Sequence, residues 1–357
     1  MRTSSHTEQL IREAVQRALQ THPLLEEPEV QDPFIDLLDL RVDREGKLFY
    51  QAIIQNVIQN GSYSISEDDY KLIHHFDWFY QQLTDDQSRI VFDWYIQIMV
   101  ARILTQSLKE AETLYPYSFL EGSMAKTIKM FIRAAKNSEK NRFIIDGYDI
   151  RTTAPALMET WTCRTYALSG ICEVQPGDIV VDAGAYKGET ALWFAKELQH
   201  QGHVYSIEMV PEFCDVIKEN IARNHLENVI TADNYALWSH ETILPISIND
   251  SLSLCNMTGA QKAEAITIDS LVKKHQISRL DFIKMDLESA EIEALIGARD
   301  TIKRFHPKLA VCVYHRLSHL YEVGEFIKEL DESYQFYLSH KTFGPMNTIL
   351  FCVPAKR

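Results

Sequence analysis

Three acids end apolar runs in the second half of the chain: Asp182 in IVVDAGAYKGET, Glu208 in HVYSIEM and Asp286 in LDFIKMDLES. A carboxylate is costly beside a bound anion and favourable beside an ammonium or sulfonium. From Asp182 the spacing is DxGxxxG through Gly184 and Gly188, and Tyr186 stands where the dinucleotide fingerprint GxGxxG needs its second glycine. A pyrophosphate is therefore not the expected guest. Glu208 ends the following apolar run, a place from which a carboxylate accepts bonds from both ribose hydroxyls. A cationic ligand with a free ribose and no clustered phosphates fits all three acids, and S-adenosylmethionine has these properties.

Methyl transfer from a sulfonium is an in-line displacement that depends on placing the nucleophile. An alcohol acceptor must also lose a proton to a base within hydrogen-bond reach. Asp286, Glu288 and His315 are the candidates for catalysis. Glu288 and Glu291 share one side of the next helix start, where acids also serve simply to offset the helix dipole. His315 ends KLAVCVYH; histidine as a residue type has an ordinary pKa near neutrality, usable for a base, and a structural histidine fits the same position. A divalent metal held by Asp286 and Glu288, with His315, would acidify an acceptor hydroxyl. The spacing matches no metal signature, so no metal ligand is assigned and the metal is not favoured.

The elements that position these residues are legible as two patterns. From about residue 6 to 140 apolar residues recur at helical spacing, as in Leu10, Ile11, Val15 and Leu19, in Ile54, Val57 and Ile58, and in Ile90, Trp94, Ile98, Ala101 and Leu104. THPLLEEPEVQDPF (21–34) and NGS (60–62) read as breaks, and 66–83 as a helix. After a polar bridge at 135–145, strands at 179–183, 203–208, 228–232, 280–286 and 308–314 alternate with helices near 189–200, 211–224 and 288–304. A hairpin of 334–340 with 348–353 closes the chain and supplies an antiparallel strand at the end of the sheet. This rhythm predicts an α/β fold, a parallel sheet covered on both faces. The boundary falls between a helical region, 1–140, and an α/β domain, 141–357.

The strings DAGAYKGET, SIEMVPEF, NYALW, TIDSL, DFIKMDLESAEIEAL and VYH, in that order and spacing, resemble the FkbM family of S-adenosylmethionine-dependent O-methyltransferases over roughly residues 145–353. Ser289 stands where the family has glycine. The resemblance implies a Rossmann-like class I methyltransferase with a mostly parallel seven-stranded sheet, preceded here by an α-helical N-terminal domain. It implies that Asp182, Gly184, Ala185 and Tyr186 form the floor under the methionine arm, with Gly188, Glu189 and Thr190 opening the helix. Glu208 would hold the ribose, Met209 pack on adenine, Asn234 and Ala236 lie by the adenine or sulfonium end, and Asp286 face cofactor and acceptor. The implied activity is methylation of a hydroxyl on a sugar, polyketide, lipid or peptide-derived natural product.

The 357 residues carry a formal net charge of −14, which disfavours a nucleic-acid substrate. MDLES after the fourth strand, in place of an NPPY-like motif, also argues against an amine acceptor. The polar opening, the absence of an apolar span and six scattered cysteines without a CxxC pair read as a cytoplasmic protein with reduced thiols. Two alternatives stand beside the methyltransferase: a degenerate methyltransferase fold serving as a binding module, and an NAD-dependent oxidoreductase, which Tyr186 disfavours. The helical region offers no chemistry; closing the acceptor pocket or forming a homodimer are its expected roles. The aromatic stretches 74–83 and 92–97 read as an interface, the wall of an acceptor site or ordinary helix core. The HH pair at 74 and 75 and the DD pair at 85 and 86 read as polar faces or helix starts.

Overall fold

The computed structural model describes residues 5–21, 67–105, 107–120, 122, 126–128, 141–249, 252–255, 261–344 and 346–355. The break at 22–34, the repeat at Ile54, Val57 and Ile58, the turn at 60–62, the bridge at 135–140 and the side chain of Cys255 lie outside the described residues. Backbone contacts divide the described residues into two compact units, one within Met1–Leu120, Val313–Glu325 and Gln335–Thr348, the other within Glu121–Cys312, Phe326–Tyr334 and Ile349–Arg357.

The first unit holds helices α1 (His6–Thr21), α2 (Glu67–Gln82), α3 (Asp86–Thr105) and α4 (Leu108–Leu114). In α1 the buried residues Leu10, Ile11, Ala14, Val15 and Ala18 form one stripe. α3 is buried nearly all round, from Val91 and Phe92 to Val100 and Ala101, as its apolar sequence predicts. The aromatic residues Phe76, Phe79, Phe92 and Tyr95 are core. The exposed His75 lies 2.5 Å from Glu325, and Asp85 accepts the Ser88 amide at 2.7 Å at a helix start.

The second unit begins with a hairpin of β1 (Arg142–Ile145) and β2 (Tyr148–Arg151), then a helical turn at Ala154–Leu157 that widens into a π-turn at Met158–Thr162. There follow β3 (Ile179–Ala183), α5 (Glu189–Glu197), β4 (His203–Ile207), α6 (Pro211–Arg223), β5 (Ile230–Asp233), β6 (Ala236–Leu237), β7 (Thr242–Asn249), β8 (Leu252–Cys255), β9 (Gln261–Ile266) and α7 (Ile268–Lys274). The chain continues through β10 (Phe282–Met285), α8 (Glu291–Ile296), α9 (Arg299–Phe305), β11 (Lys308–Cys312), α10 (His319–Leu330), β12 (Gln335–His340) and β13 (Thr348–Val353).

The expected sheet is present, with seven strands in the order β12-β13-β11-β10-β3-β4-β5. β11, β10, β3, β4 and β5 run parallel, and β13 pairs antiparallel with β11. The antiparallel strand is thus internal to the sheet, between β12 and β11, rather than at its end. The chain steps from β3 to β4 on one side and later to β10 on the other, which makes the carboxyl ends of β3 and β10 the topological switch point.

Two features depart from the sequence reading. The helix expected over 288–304 is two helices broken at Gly297, where an added Cβ would lie 2.2 Å from the Trp238 carbonyl oxygen. A second sheet, β6-β9-β7-β8, occupies residues for which no strands are predicted. Its core is Ala236, Ile246, Ala263 and Ala265. Five described cysteines, Cys163, Cys172, Cys214, Cys312 and Cys352, are free and buried. Among the described residues no helix is long and apolar enough to cross a membrane.

Candidate functional site

The turn after β3 is built by its own backbone. Gly184 and Ala185 both donate their amides to the Ile207 carbonyl, at 2.9 and 3.1 Å, and Gly188 donates to Ala185 at 2.8 Å. Tyr186 donates its amide to Glu208 Oε2 at 2.9 Å. A phosphate cradle needs several amides aimed outward at the anion. Here four are spent inside the protein, so the inference from DxGxxxG that no pyrophosphate binds gains a structural reason.

The glycines are required for different reasons. Gly184 has φ of 77° and its Cα faces β10, so an added Cβ would lie 1.9 Å from the Asp286 carbonyl oxygen. Gly188 has φ of 87° and caps α5, with Ile217 side-chain atoms 3.2 Å from where its Cβ would be. Tyr186 accepts a left-handed φ of 49° without being glycine, and its ring meets Phe213 edge-on at 4.9 Å.

Asp182 is fully buried, and its cation lies inside the protein. Lys284, its register partner on β10, places Nζ 3.2 Å from Asp182 Oδ1, while Thr190 donates its hydroxyl to Oδ2 at 2.6 Å. Lys284 is 1% exposed and also donates to the carbonyls of Ala183 and Gly184. Burial opposes its charge, but Asp182 and Asp286 outweigh that and hold the ammonium above its ordinary pKa. The sequence predicts a cationic ligand as the partner of the tip acid; the structure places Lys284 there, and one lysine inside an apolar strand carries no periodic signal.

Other predicted residues fall into groups. Glu208 is 6% exposed and accepts the amides of Tyr186 and Val210, each at 2.9 Å. Burial raises its pKa to about 7 against those two bonds. Asn234 donates its side-chain amide to the Glu208 carbonyl at 2.8 Å. Met209 packs against the core that includes Ala236. Glu189 is buried, accepts the Thr152 hydroxyl at 2.8 Å, and burial raises its pKa to about 7. Glu189 and Thr190 thus use their side chains within the frame of the site.

After β10, Asp286 is half-buried and accepts the Tyr166 hydroxyl at 2.8 Å. Glu288 and Ser289 both take left-handed backbone, with φ of 50° and 84°. The family's glycine position is therefore one where serine is strained, and the Ser289 hydroxyl is buried without a hydrogen-bond partner. Glu291 begins α8 fully buried and accepts the Leu287 amide at 2.8 Å, which ties down the turn. His315 is buried and belongs to the first unit. Tyr166 was not found from sequence: it sits in a stretch with no periodicity, far along the chain from the acid it touches.

Comparison with known proteins relates the chain to methyltransferases. Residues 182–343 match the model of the methyltransferase FkbM domain. Methyltransferase FkbM from Methylobacillus flagellatus KT is similar in structure, with a TM-score of 0.54 and 20% identity over 87% of this chain and 72% of that one. An arsenite methyltransferase of Halobacterium salinarum is 30% identical over 97 residues, which are 27% of this chain and 24% of that protein. The chain thus spans about a quarter of the length of that curated relative. Residues 182–343, somewhat under half of the chain, thus match a methyltransferase FkbM domain, and the fold is that of the Methylobacillus flagellatus protein.

Proposed function

We propose that the protein is an S-adenosylmethionine-dependent O-methyltransferase that methylates a hydroxyl of a small molecule, in the cytoplasm. The observation that supports it most is the turn after β3, whose amides are spent internally while Glu208 and Asp286 stand at the neighbouring strand ends. That donor set suits a cationic, phosphate-free nucleoside and not a dinucleotide. Five free buried thiols are consistent with a reducing compartment.

In this reading Gly184, Ala185 and Tyr186 supply the surface under the methionine arm, and Glu208 accepts from ribose hydroxyls with its remaining lone pairs. Met209, Asn234 and Ala236 border the adenine. Asp182, Glu189 and Thr190 act one step removed, by fixing the turn and the start of α5. When bound, S-adenosylmethionine supplies an electrophilic methyl group. The chain's task is to orient the acceptor and to take the hydroxyl proton, at a carboxylate oxygen of Asp286. Glu288 and His315 are the other candidates for that proton, and no metal is invoked. The helical region is proposed to support a homodimer, which light scattering of the purified chain reads directly.

The test is a panel of hydroxylated sugars, polyketides, lipids and peptides incubated with protein and S-adenosylmethionine and read by intact mass. Gain of one methyl on an oxygen, abolished in Asp286→Asn and retained in Glu288→Gln and His315→Asn, supports the reading. Methylation on nitrogen, or full turnover by Asp286→Asn, contradicts it.

A further inference from the structure

Tyr166 touches both charges at the end of β10. Its hydroxyl donates to Asp286 Oδ2 at 2.8 Å, and the Lys284 ammonium lies 5.1 Å from its ring centroid. A phenol bonded to a carboxylate is a charge-assisted contact that fixes the plane of the acid, and the ring face favours the cation beneath it. The ring is 6% exposed, so these contacts are made away from solvent and little screened. Its own segment is braced: Thr165 donates its hydroxyl to the Glu159 carbonyl at 2.7 Å, and Leu168 and Cys172 exchange backbone bonds at 2.8 Å.

The charges around this tyrosine differ in burial and in the groups that hold them. Lys284 is committed to Asp182 and to the Ala183 and Gly184 carbonyls. Glu291 is fully buried and committed to the Leu287 amide, with a carboxylate oxygen within 4.8 Å of one from Asp286. Two acids so close repel, and the nearby Lys284 ammonium offsets part of that repulsion. Asp182 is paired with Lys284 inside the protein, Asp286 is the half-buried acid at the switch point, and Tyr166 is a hydrogen-bond donor that fixes it.

We propose that Tyr166 is a positioning residue that holds the Asp286 carboxylate in the orientation that senses positive charge on the ligand's sulfur. Through it the stretch before β3 contributes to the discrimination between the sulfonium substrate and its neutral thioether product. This rests on the reading of the site as one for S-adenosylmethionine.

The experiment is calorimetric titration of the full chain with S-adenosylmethionine and, separately, S-adenosylhomocysteine, for the parent protein, Tyr166→Phe, Asp286→Asn and the double variant. Tyr166→Phe keeps the ring over Lys284 and removes only the hydroxyl. The expected result is a loss of roughly tenfold in affinity for the sulfonium relative to the thioether. Asp286→Asn shifts that ratio at least as far, and the double variant shifts it no further. An equal change for both ligands in Tyr166→Phe, or a further shift by Tyr166→Phe in the Asp286→Asn background, overturns the positioning role. Failure of the parent protein to bind either ligand instead overturns the cofactor reading, and the role of Tyr166 with it.

Discussion

The two turns at the switch point solve the same problem differently. After β3 the chain puts glycine at two of its left-handed positions, Gly184 and Gly188, and spends its amides on Ile207, Ala185 and Glu208. After β10 it uses Glu288 and Ser289 in left-handed backbone and relies on the buried carboxylate of Glu291 to hold the Leu287 amide. Both turns hold non-glycine residues in left-handed backbone, Tyr186 in the first and Glu288 and Ser289 in succession in the second, next to Asp286. Strain of this kind persists only where the surroundings enforce it. Under the proposed function the first turn shapes the floor beneath the cofactor and the second carries the acid that takes the proton.

The link between them is the Asp182–Lys284 pair, and breaking it should have the largest effect. Lys284→Met leaves a fully buried carboxylate without its cation and is expected to cost about 3–5 kcal/mol, read by urea denaturation. A loss below about 1 kcal/mol would show that the turns are not coupled through this pair. Gly184→Ala attacks the first turn where it meets the second. Its Cβ would collide with the Asp286 carbonyl, and the expected loss is about 1–3 kcal/mol with weakened S-adenosylmethionine binding. Alanine tolerated in both assays would remove the close approach from the account.

Glu208 gives the first turn a pH dependence. Burial raises its folded pKa to about 7 from an ordinary 4.5, so the folded protein holds a proton that the unfolded chain has released. Its contribution to stability is full below about pH 4.5 and is lost as pH rises through 7. Glu189, raised in the same way, acts in the same direction. Glu208→Gln should therefore flatten the fall in Tm between pH 5 and 8, and an unchanged slope would count against the assignment. Ser289→Gly should have the smallest effect, a gain of about 1 kcal/mol in thermal stability, because glycine relieves the φ of 84° and removes the unpartnered hydroxyl. A destabilised variant would mean that the serine is held by something other than strain.

The sequence carried the main sheet well, because its strands are continuous apolar runs and five of them end in or beside the quoted motifs. The second sheet was hidden. ILPISI and KAEAITI alternate only loosely, and residues of β7 and β9 such as Ile243 and Glu264 stay exposed, so half-buried strands there resemble loop. The break at Gly297 was equally invisible, since the close approach of the Trp238 carbonyl, which leaves no room for a Cβ there, comes from a distant segment. At the site, the acids and glycines were legible as residue types. What they touch was not: Lys284 reads as a blemish in a strand, and Tyr166 reaches Asp286 only once the chain has folded.

The most direct test of the central claim sets a phosphate-free nucleoside against a dinucleotide, S-adenosylmethionine against NADH, titrated calorimetrically into the same preparation. A turn whose amides are spent inside predicts a saturable heat for S-adenosylmethionine and none for NADH. Tighter binding of NADH would contradict the account.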